Sequence, residues 1–181
     1  DVRTVFYGTT NIALKVFFDD ESNGLRKLSD GSAVFSSGAD NIKYVFSHKG
    51  HIWVLGGTGG TGVAVSSDTI GGVPVSRKPY IDANINGAPA LLSGAVAIAG
   101  VLYIFGISST NNIFCVKTSV AAPVADADFT LVFEIPILNH VDSEVVGVKQ
   151  LGDKIYFLLG GSPIWTLYES YIATATVTSI H

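Results

Sequence analysis

The feature that most constrains this chain is a short apolar segment ending in glycine, which recurs along the sequence. Its copies occupy residues 51–57, 101–106, 154–161 and, in a divergent form, 2–8. Trp53 and Tyr103 are 50 residues apart, Tyr103 and Tyr156 are 53 apart, and Gly8 and Gly56 are 48 apart. A period near 50 built on such a segment favours a repeated β-unit over a helical repeat.

Each repeat is predicted to contain four short strands, with approximate bounds of 1–33, 34–87, 88–138 and 139–181 in a single domain of residues 1–181. Residues 2–7 match the second strand of the other repeats, so the first repeat is predicted to lack its first strand. We therefore predict an all-β, β-propeller-like fold of about four blades of four antiparallel strands, complete or a fragment of a larger propeller. No helix is expected, because helical periodicity never persists for three turns.

Composition narrows the range of partners. The chain is 48% hydrophobic and 14% charged, with a net charge of −4 and three scattered arginines, so no nucleic-acid partner is expected. Cys115 is the only cysteine, which excludes an intrachain disulfide and favours a buried thiol.

The uncharged residues 88–107 are long enough to cross a membrane. Because Pro89 and Gly100 interrupt them, two buried strands joined at Ala99-Gly100 are predicted instead.

Two propeller families share local sequence patterns with this chain. The apolar segments that end in Gly56-Gly57 and Gly160-Gly161 resemble kelch repeats, without the tryptophan that follows each doublet in that family. Residues 63–71 resemble the Asp-box of sialidase-type propellers, a Ser-x-Asp-x-Gly-x-x-Trp turn, but Gly71 comes one place late and Val73 replaces the tryptophan. The resemblance implies the propeller class. The sparse charge and the absence of glycosylation sequons and disulfides also resemble the tail fibres and tailspikes of bacterial viruses.

The start of the chain bears on assembly. It begins at Asp1 and contains no methionine, from which we expect a processed product or a fragment. The missing first strand would leave an unpaired edge, which natural proteins avoid. The tail near Ile180, a second chain or a larger protein would supply it, so a homo-oligomer or a part of a longer chain is expected.

Candidate binding residues lie on the connections that form the ligand face of a propeller. These join the fourth strand of one repeat to the first of the next, and the second strand to the third within a repeat. They are predicted at residues 29–41, 56–62, 77–93, 107–112, 136–144 and 160–163. Loops on a rigid scaffold often carry function, although the simpler interpretation, that these are solvated connections, is favoured. The candidates are Arg77, Tyr80, Asp82, Asn84, Asn112, Asn139, His140, Asp142 and Glu144.

Two classes of function fit these residues. The first is a non-catalytic recognition or structural module on a virion or cell exterior, which binds a cell-surface glycan or another protein. The second is a carbohydrate-active enzyme, in which Asp82 would face Asp142 or Glu144 across a pocket. A sialidase would need several arginines to hold the substrate carboxylate, and only Arg77 lies on the predicted face. The first class is favoured.

No cofactor is expected, and one metal pattern is weighed. Acidic and amide residues imitate the oxygen-ligand spacing of a calcium loop at Asp19, Glu21, Asn23 and Asp30. Basic residues inside this loop and the lack of flanking helices favour an exposed hairpin turn. His48 and His51 flank another turn, where solvent-facing positions are expected for both.

Overall fold

A computed structural model describes residues 5–9, 12–20, 24–27, 33–35, 41–58, 61–66, 75–76, 78–87, 89–137, 141–162 and 165–180. Within these residues the chain forms four antiparallel sheets of four strands each, and every sheet is built from consecutive strands. Such meanders suit a chain whose apolar segments are separated by short turns. The prediction of an all-β fold is confirmed.

The strands of the first two sheets follow one another along the chain. The first sheet contains β1 (Val5–Thr9), β2 (Ile12–Asp20), β3 (Gly24–Lys27) and β4 (Ala33–Phe35). The second sheet contains β5 (Asn41–His48), β6 (His51–Thr58), β7 (Thr61–Ser66) and β8 (Val75–Ser76).

The last two sheets are described almost completely. The third sheet contains β9 (Pro89–Ile98), β10 (Val101–Ser108), β11 (Asn112–Thr118) and β12 (Thr130–Pro136). The fourth sheet contains β13 (Val141–Leu151), β14 (Lys154–Ser162), β15 (Thr166–Tyr171) and β16 (Val177–Ile180). As predicted, residues 88–107 contribute two strands, β9 and β10, which are joined by a turn with positive φ at Ala99 and Gly100.

The prediction that the first repeat lacks its first strand is wrong. β1 pairs with β2 at one edge of a complete four-stranded sheet, and β4, which begins at Ala33, is the fourth strand. The boundary drawn at residue 33 therefore falls on a strand. An apolar segment before a glycine does not distinguish a first strand from a second, which is why residues 2–7 were assigned to the wrong position. The tail also has another role, since β16 pairs with β15.

The expectation that the chain contains no helix is wrong, because two short helices are present. The α-helix α1 (Lys78–Asp82) follows the second sheet, and a 3₁₀-helix (Asp126–Asp128) precedes β12. Pro79 fits the first turn of α1, where no backbone donor is needed. Ile81 is fully buried, so packing holds a helix too short to show periodicity in the sequence.

The third sheet is buried on both faces. Leu102 and Ile104 of β10 pack in one core cluster with Trp53 and Leu55 of the second sheet. The intervening residues of β10, including Phe105, pack in a second cluster with residues of the fourth sheet that include Phe157. Alternate residues of a strand lie on opposite faces, so β10 is sandwiched between the second and fourth sheets.

The sheets stack in chain order through their first strands. β1 contacts β5, β5 contacts β9, and β9 contacts β13. Gly94 of β9 lies so close to the fourth sheet that a Cβ there would be 2.6 Å from a methyl group of Val148. Glycine at position 94 therefore allows the first strands of the third and fourth sheets, β9 and β13, to approach each other closely.

Candidate functional site

The second-to-third turn of the third sheet lies beside the connection that enters this sheet. The hydroxyl of Thr110 donates to the carbonyl oxygen of Asn86 at 3.0 Å. The backbone N–H of Asn86 donates to Oε2 of Glu134, near the end of β12, at 2.9 Å. We call this group the polar edge; it comprises Asn86, Ser108, Thr110, Asn112 and Glu134.

Asn112 is the centre of the polar edge. Its Nδ2 donates to Oε1 of Glu134 at 2.8 Å and to Oγ1 of Thr110 at 3.2 Å, which uses both amide hydrogens. Its backbone N–H donates to Oγ of Ser108 at 3.2 Å. The preceding residue, Asn111, has a φ of 61°, a conformation that asparagine tolerates better than most residues.

The hydroxyl groups of the polar edge have a defined bonding direction. The single hydrogen of the Thr110 hydroxyl is given to Asn86, so this oxygen accepts from Ser108, whose Oγ lies 2.9 Å away. Both oxygens of Glu134 also accept hydrogen bonds. The arrangement fixes the two connections against each other and leaves the Asn86 and Asn111 side chains exposed to solvent.

Three other predicted residues lie on or beside α1. Tyr80 packs against the core cluster between the second and third sheets, and Asp82 is half-buried at the helix end. Nδ2 of Asn84 donates to the carbonyl oxygens of Tyr80 at 2.8 Å and Asp126 at 3.0 Å. Asn84 therefore links α1 to the segment that precedes β12. Asn112, by contrast, contacts Glu134 near the end of β12.

The remaining predicted residues divide into two groups. Asp142 and Glu144 were expected on a connection, but β13 already begins at Val141, so both lie on a strand. Glu144 pairs with Gly160 across a bulge and is half-buried. The sequence did not reveal this because three polar residues, 142–144, separate Val141 from the apolar residues that begin at Val145. The other candidates, Arg77, Asn139 and His140, lie outside the described residues.

Sequence reasoning missed Glu134, Ser108 and Thr110 as members of the polar edge. Ser108 and Thr110 fall within the predicted connection 107–112, where only Asn112 is a candidate, and Glu134 lies outside every predicted connection. Their shared signal is position, because each lies at the end of a strand next to a connection on the predicted face. Asn86 was recognised within its connection but not singled out.

His48 differs from the sequence expectation. Only 6% of its surface is exposed, and Nε2 has no hydrogen-bond partner. Burial lowers the pKa of His48, and the nearby charges of Lys49 and His51 lower it further. The hairpin folds against the third sheet, where Nζ of Lys49 donates to the carbonyl oxygen of Ser119. The turn is therefore not solvent-facing at this histidine, and His51 is also half-buried.

The residues that resemble a calcium-binding loop lie largely outside the described part of the chain. Asp19 lies on β2 and pairs with Leu25 of β3, while Glu21, Asn23 and Asp30 fall in undescribed segments, as do residues 67–71 of the Asp-box resemblance. Among the described residues, no three or more His, Cys, Asp or Glu side chains form a group that could hold a metal ion. The same part of the chain contains no helix long and apolar enough to span a membrane.

Comparisons with known proteins give little further information. The sequence matches no known protein family and no curated protein. Among solved structures, it is similar to the crystal structure of the computationally designed Ika8 protein in a P63 packing, with 11% identity and a TM-score of 0.47. The match covers 96% of this chain and 46% of that one, so this chain spans about half the length of the designed protein. At this level, the similarity carries no argument about fold or function.

Proposed function

We propose that this chain is a β-propeller-type arc of four blades that acts as a non-catalytic recognition module and binds a glycan at the polar edge. The observation that carries the proposal is the hydrogen-bonded network of Asn86, Thr110, Asn112 and Glu134, which positions exposed polar side chains on a rigid sheet. Functional groups are often presented in this way, on connections held by a scaffold.

The chemistry of the exposed groups favours a neutral, hydroxyl-rich ligand. The amides of Asn86 and Asn111 can each donate and accept hydrogen bonds, which matches the hydroxyl groups of a sugar. The one carboxylate of the polar edge, Glu134, already accepts two hydrogen bonds. A strongly charged ligand is less well matched, because no basic side chain belongs to this network.

An exterior location, on a virion appendage such as a tail fibre, is part of the same proposal. Its support is the composition, with only 14% charged residues, a single cysteine and no sequon. The cysteine, Cys115, is fully buried, and burial raises the pKa of its thiol well above the usual value. A thiol of this kind is chemically inert, which suits a protein outside the cell.

The test is binding of the purified chain to a glycan array and to whole cells. Asn86→Ala and Asn111→Gly should each reduce binding about fivefold, by the loss of a net hydrogen bond of about 1 kcal/mol. Glycine at position 111 keeps the positive φ. The matched control is Gln150→Ala. It removes an exposed amide near the turn between β13 and β14, where Gln150 donates to the carbonyl oxygen of Gly152.

The enzyme alternative is tested by the same preparation. Glycan binding should survive Asp142→Asn and Glu144→Gln, and no oligosaccharide should be hydrolysed by the wild-type chain. Hydrolysis that those substitutions abolish would replace the recognition proposal with a glycosidase. Equal binding by the wild-type chain, Asn86→Ala and Asn111→Gly would reject the polar edge and its neighbour Asn111 as the binding site.

A further inference from the structure

The fourth sheet has one buried face and one exposed apolar face. The buried face packs Phe157 against Phe105 of the third sheet, with ring centroids 5.2 Å apart. The opposite face, which we call the terminal face, contains five of the seven large hydrophobic residues that are exposed in the described part of the chain. These five are Val146, Leu151, Trp165, Leu167 and Ile180.

Register and contacts place these residues on the same side of the sheet. A Cβ on Gly160 would lie 3.1 Å from a methyl carbon of Val146 and 3.3 Å from the Trp165 ring, so both side chains cover Gly160. Leu158, two residues before Gly160, pairs with Leu167, which in turn pairs with Ile180. Directly paired residues share a face, so a continuous apolar band crosses β13 to β16.

Two of the charges on the terminal face compensate each other. Nζ of Lys154 lies 2.9 Å from Oε2 of Glu169 and 4.4 Å above the centre of the Tyr171 ring. A charge buried in an interface is costly unless it is paired, and Lys154 and Glu169 are already paired. Lys149, which pairs with Tyr156, is a further charged residue on this side of the sheet and is exposed.

The chain's own first sheet does not cover this face. Trp165 is 63% exposed and Leu151 is 69% exposed within the whole chain. Scattered apolar residues are normal on protein surfaces, but a continuous band on one face marks an interaction site. The stacking of first strands, from β1 to β5 to β9 to β13, ends at the fourth sheet and would continue on this face.

The first sheet lies at the other end of the stack of sheets. β1 contacts β5 of the second sheet, whereas the terminal face belongs to the fourth sheet. Val5 pairs with Phe17, and Phe6 pairs with Val16, so β1 and β2 have the apolar composition of the strands that stack in the rest of the chain.

We propose that the terminal face of one copy binds the first sheet of a second copy, so that the stacking between consecutive sheets continues across the interface. Two copies joined in this way at both ends form a closed ring of eight sheets, within the size range of β-propellers. The interface is head-to-tail rather than symmetric. The proposed interface does not depend on glycan binding, and a separate measurement tests it.

The first test is the mass of the purified chain by light scattering after size exclusion, over a wide range of concentrations. The wild-type chain should have twice the mass of one copy, and Trp165→Glu should have the mass of one copy. Val124→Glu is the matched control, because Val124 is 62% exposed and lies just before the 3₁₀-helix rather than on the terminal face. This control should remain a dimer.

Tryptophan fluorescence gives an independent measurement in the wild-type chain. Trp53 is fully buried and Trp165 is largely exposed in a single copy, so acrylamide quenching reports mainly on Trp165. Quenching should fall as concentration rises through the dimerisation range. If Trp165→Glu does not fold, as judged by circular dichroism, Ile180→Lys on the same face should produce the monomer instead.

Cross-linking of mixed isotope-labelled copies identifies the partner surface. Lys15 lies on β2, and Lys149 and Lys154 lie on the fourth sheet. Links between copies should join Lys15 to Lys149 or Lys154. A monomer at every concentration, a dimer that survives Trp165→Glu, or links joining Lys154 of one copy to Lys154 of the other would each overturn the proposal.

Discussion

At the scale of single residues, Gly106 shows why the repeated segments contain glycine. The sequence suggested that glycine ends each apolar segment, yet β10 continues through Gly106 to Ser108. A Cβ at this position would lie 2.5 Å from the carbonyl oxygen of Leu91 and 2.7 Å from the ring of Phe114. Glycine is needed there because neighbouring atoms occupy the space of a side chain, rather than because the backbone turns.

Replacing Gly106 by alanine should destabilise the protein by about 1–3 kcal/mol, the usual cost of forcing extra atoms into a packed core. The control is Gly147→Ala on β13, where a Cβ would meet nothing within 4 Å. Urea unfolding of both variants measures the difference in free energy. Equal stabilities for the two variants would contradict the close packing around Gly106.

His48 predicts a dependence of stability on pH. Its folded-state pKa is lowered from 6.5 by burial, Lys49 and His51, so the unfolded chain binds a proton more readily. Stability should be greatest above pH 6.5 and should fall as the pH drops from 6.5 towards the folded-state pKa. The limiting slope for one proton is about 1.4 kcal/mol per pH unit.

The measurement is urea unfolding of wild-type and His48→Phe between neutral and mildly acidic pH. Phenylalanine keeps the buried ring and removes the titrating nitrogen, so the variant should lose part of the slope below pH 6.5. The informative quantity is the difference between the slopes of the wild-type and variant proteins. Identical slopes would show that His48 does not govern this dependence.

At the scale of elements, α1 closes the space between the second and third sheets. Ile81 is fully buried and packs in the same core cluster as Trp53 and Phe114. Asn84 holds the end of the helix to the chain before β12. The helix is thus a packed part of the fold, even though it has only five residues.

Ile81→Ala should destabilise the protein by about 2–5 kcal/mol, as expected for removal of a fully buried aliphatic side chain. Leu131→Ala is the comparison, because Leu131 is 38% exposed on β12 and should cost much less. Thermal unfolding of both variants provides the measurement. A small effect of Ile81→Ala would mean that α1 is not anchored in the core.

The elements also show what the sequence could predict. The hairpin at Ala99-Gly100 and the strands of the third and fourth sheets were identifiable, because apolar segments of strand length alternate with turn residues. Helix α1 was not, since tertiary packing of Ile81 rather than periodicity holds it. Of the polar edge, the sequence indicated Asn112, because that residue lies on a predicted connection. It did not indicate Glu134, which is 22 residues away and becomes a neighbour of Asn112 only when β11 pairs with β12.

At the scale of the whole molecule, one hairpin-based unit occurs four times and each copy forms its own sheet. The period in the sequence predicts the number of units, because each unit buries its faces against its neighbours. It does not predict how the stack ends. The placement of the terminal face depends on side chains such as Val146 and Trp165, which look like ordinary strand residues until the stacking order is known.

An experimental crystal structure of the purified chain would test whether the four repeated units form four separate sheets. We expect the segments His51–Thr58, Val101–Ser108 and Lys154–Ser162 each to form the second strand of a separate four-stranded sheet, with the first strands adjacent in chain order. Finding any two of these three segments hydrogen-bonded within one continuous sheet would contradict it.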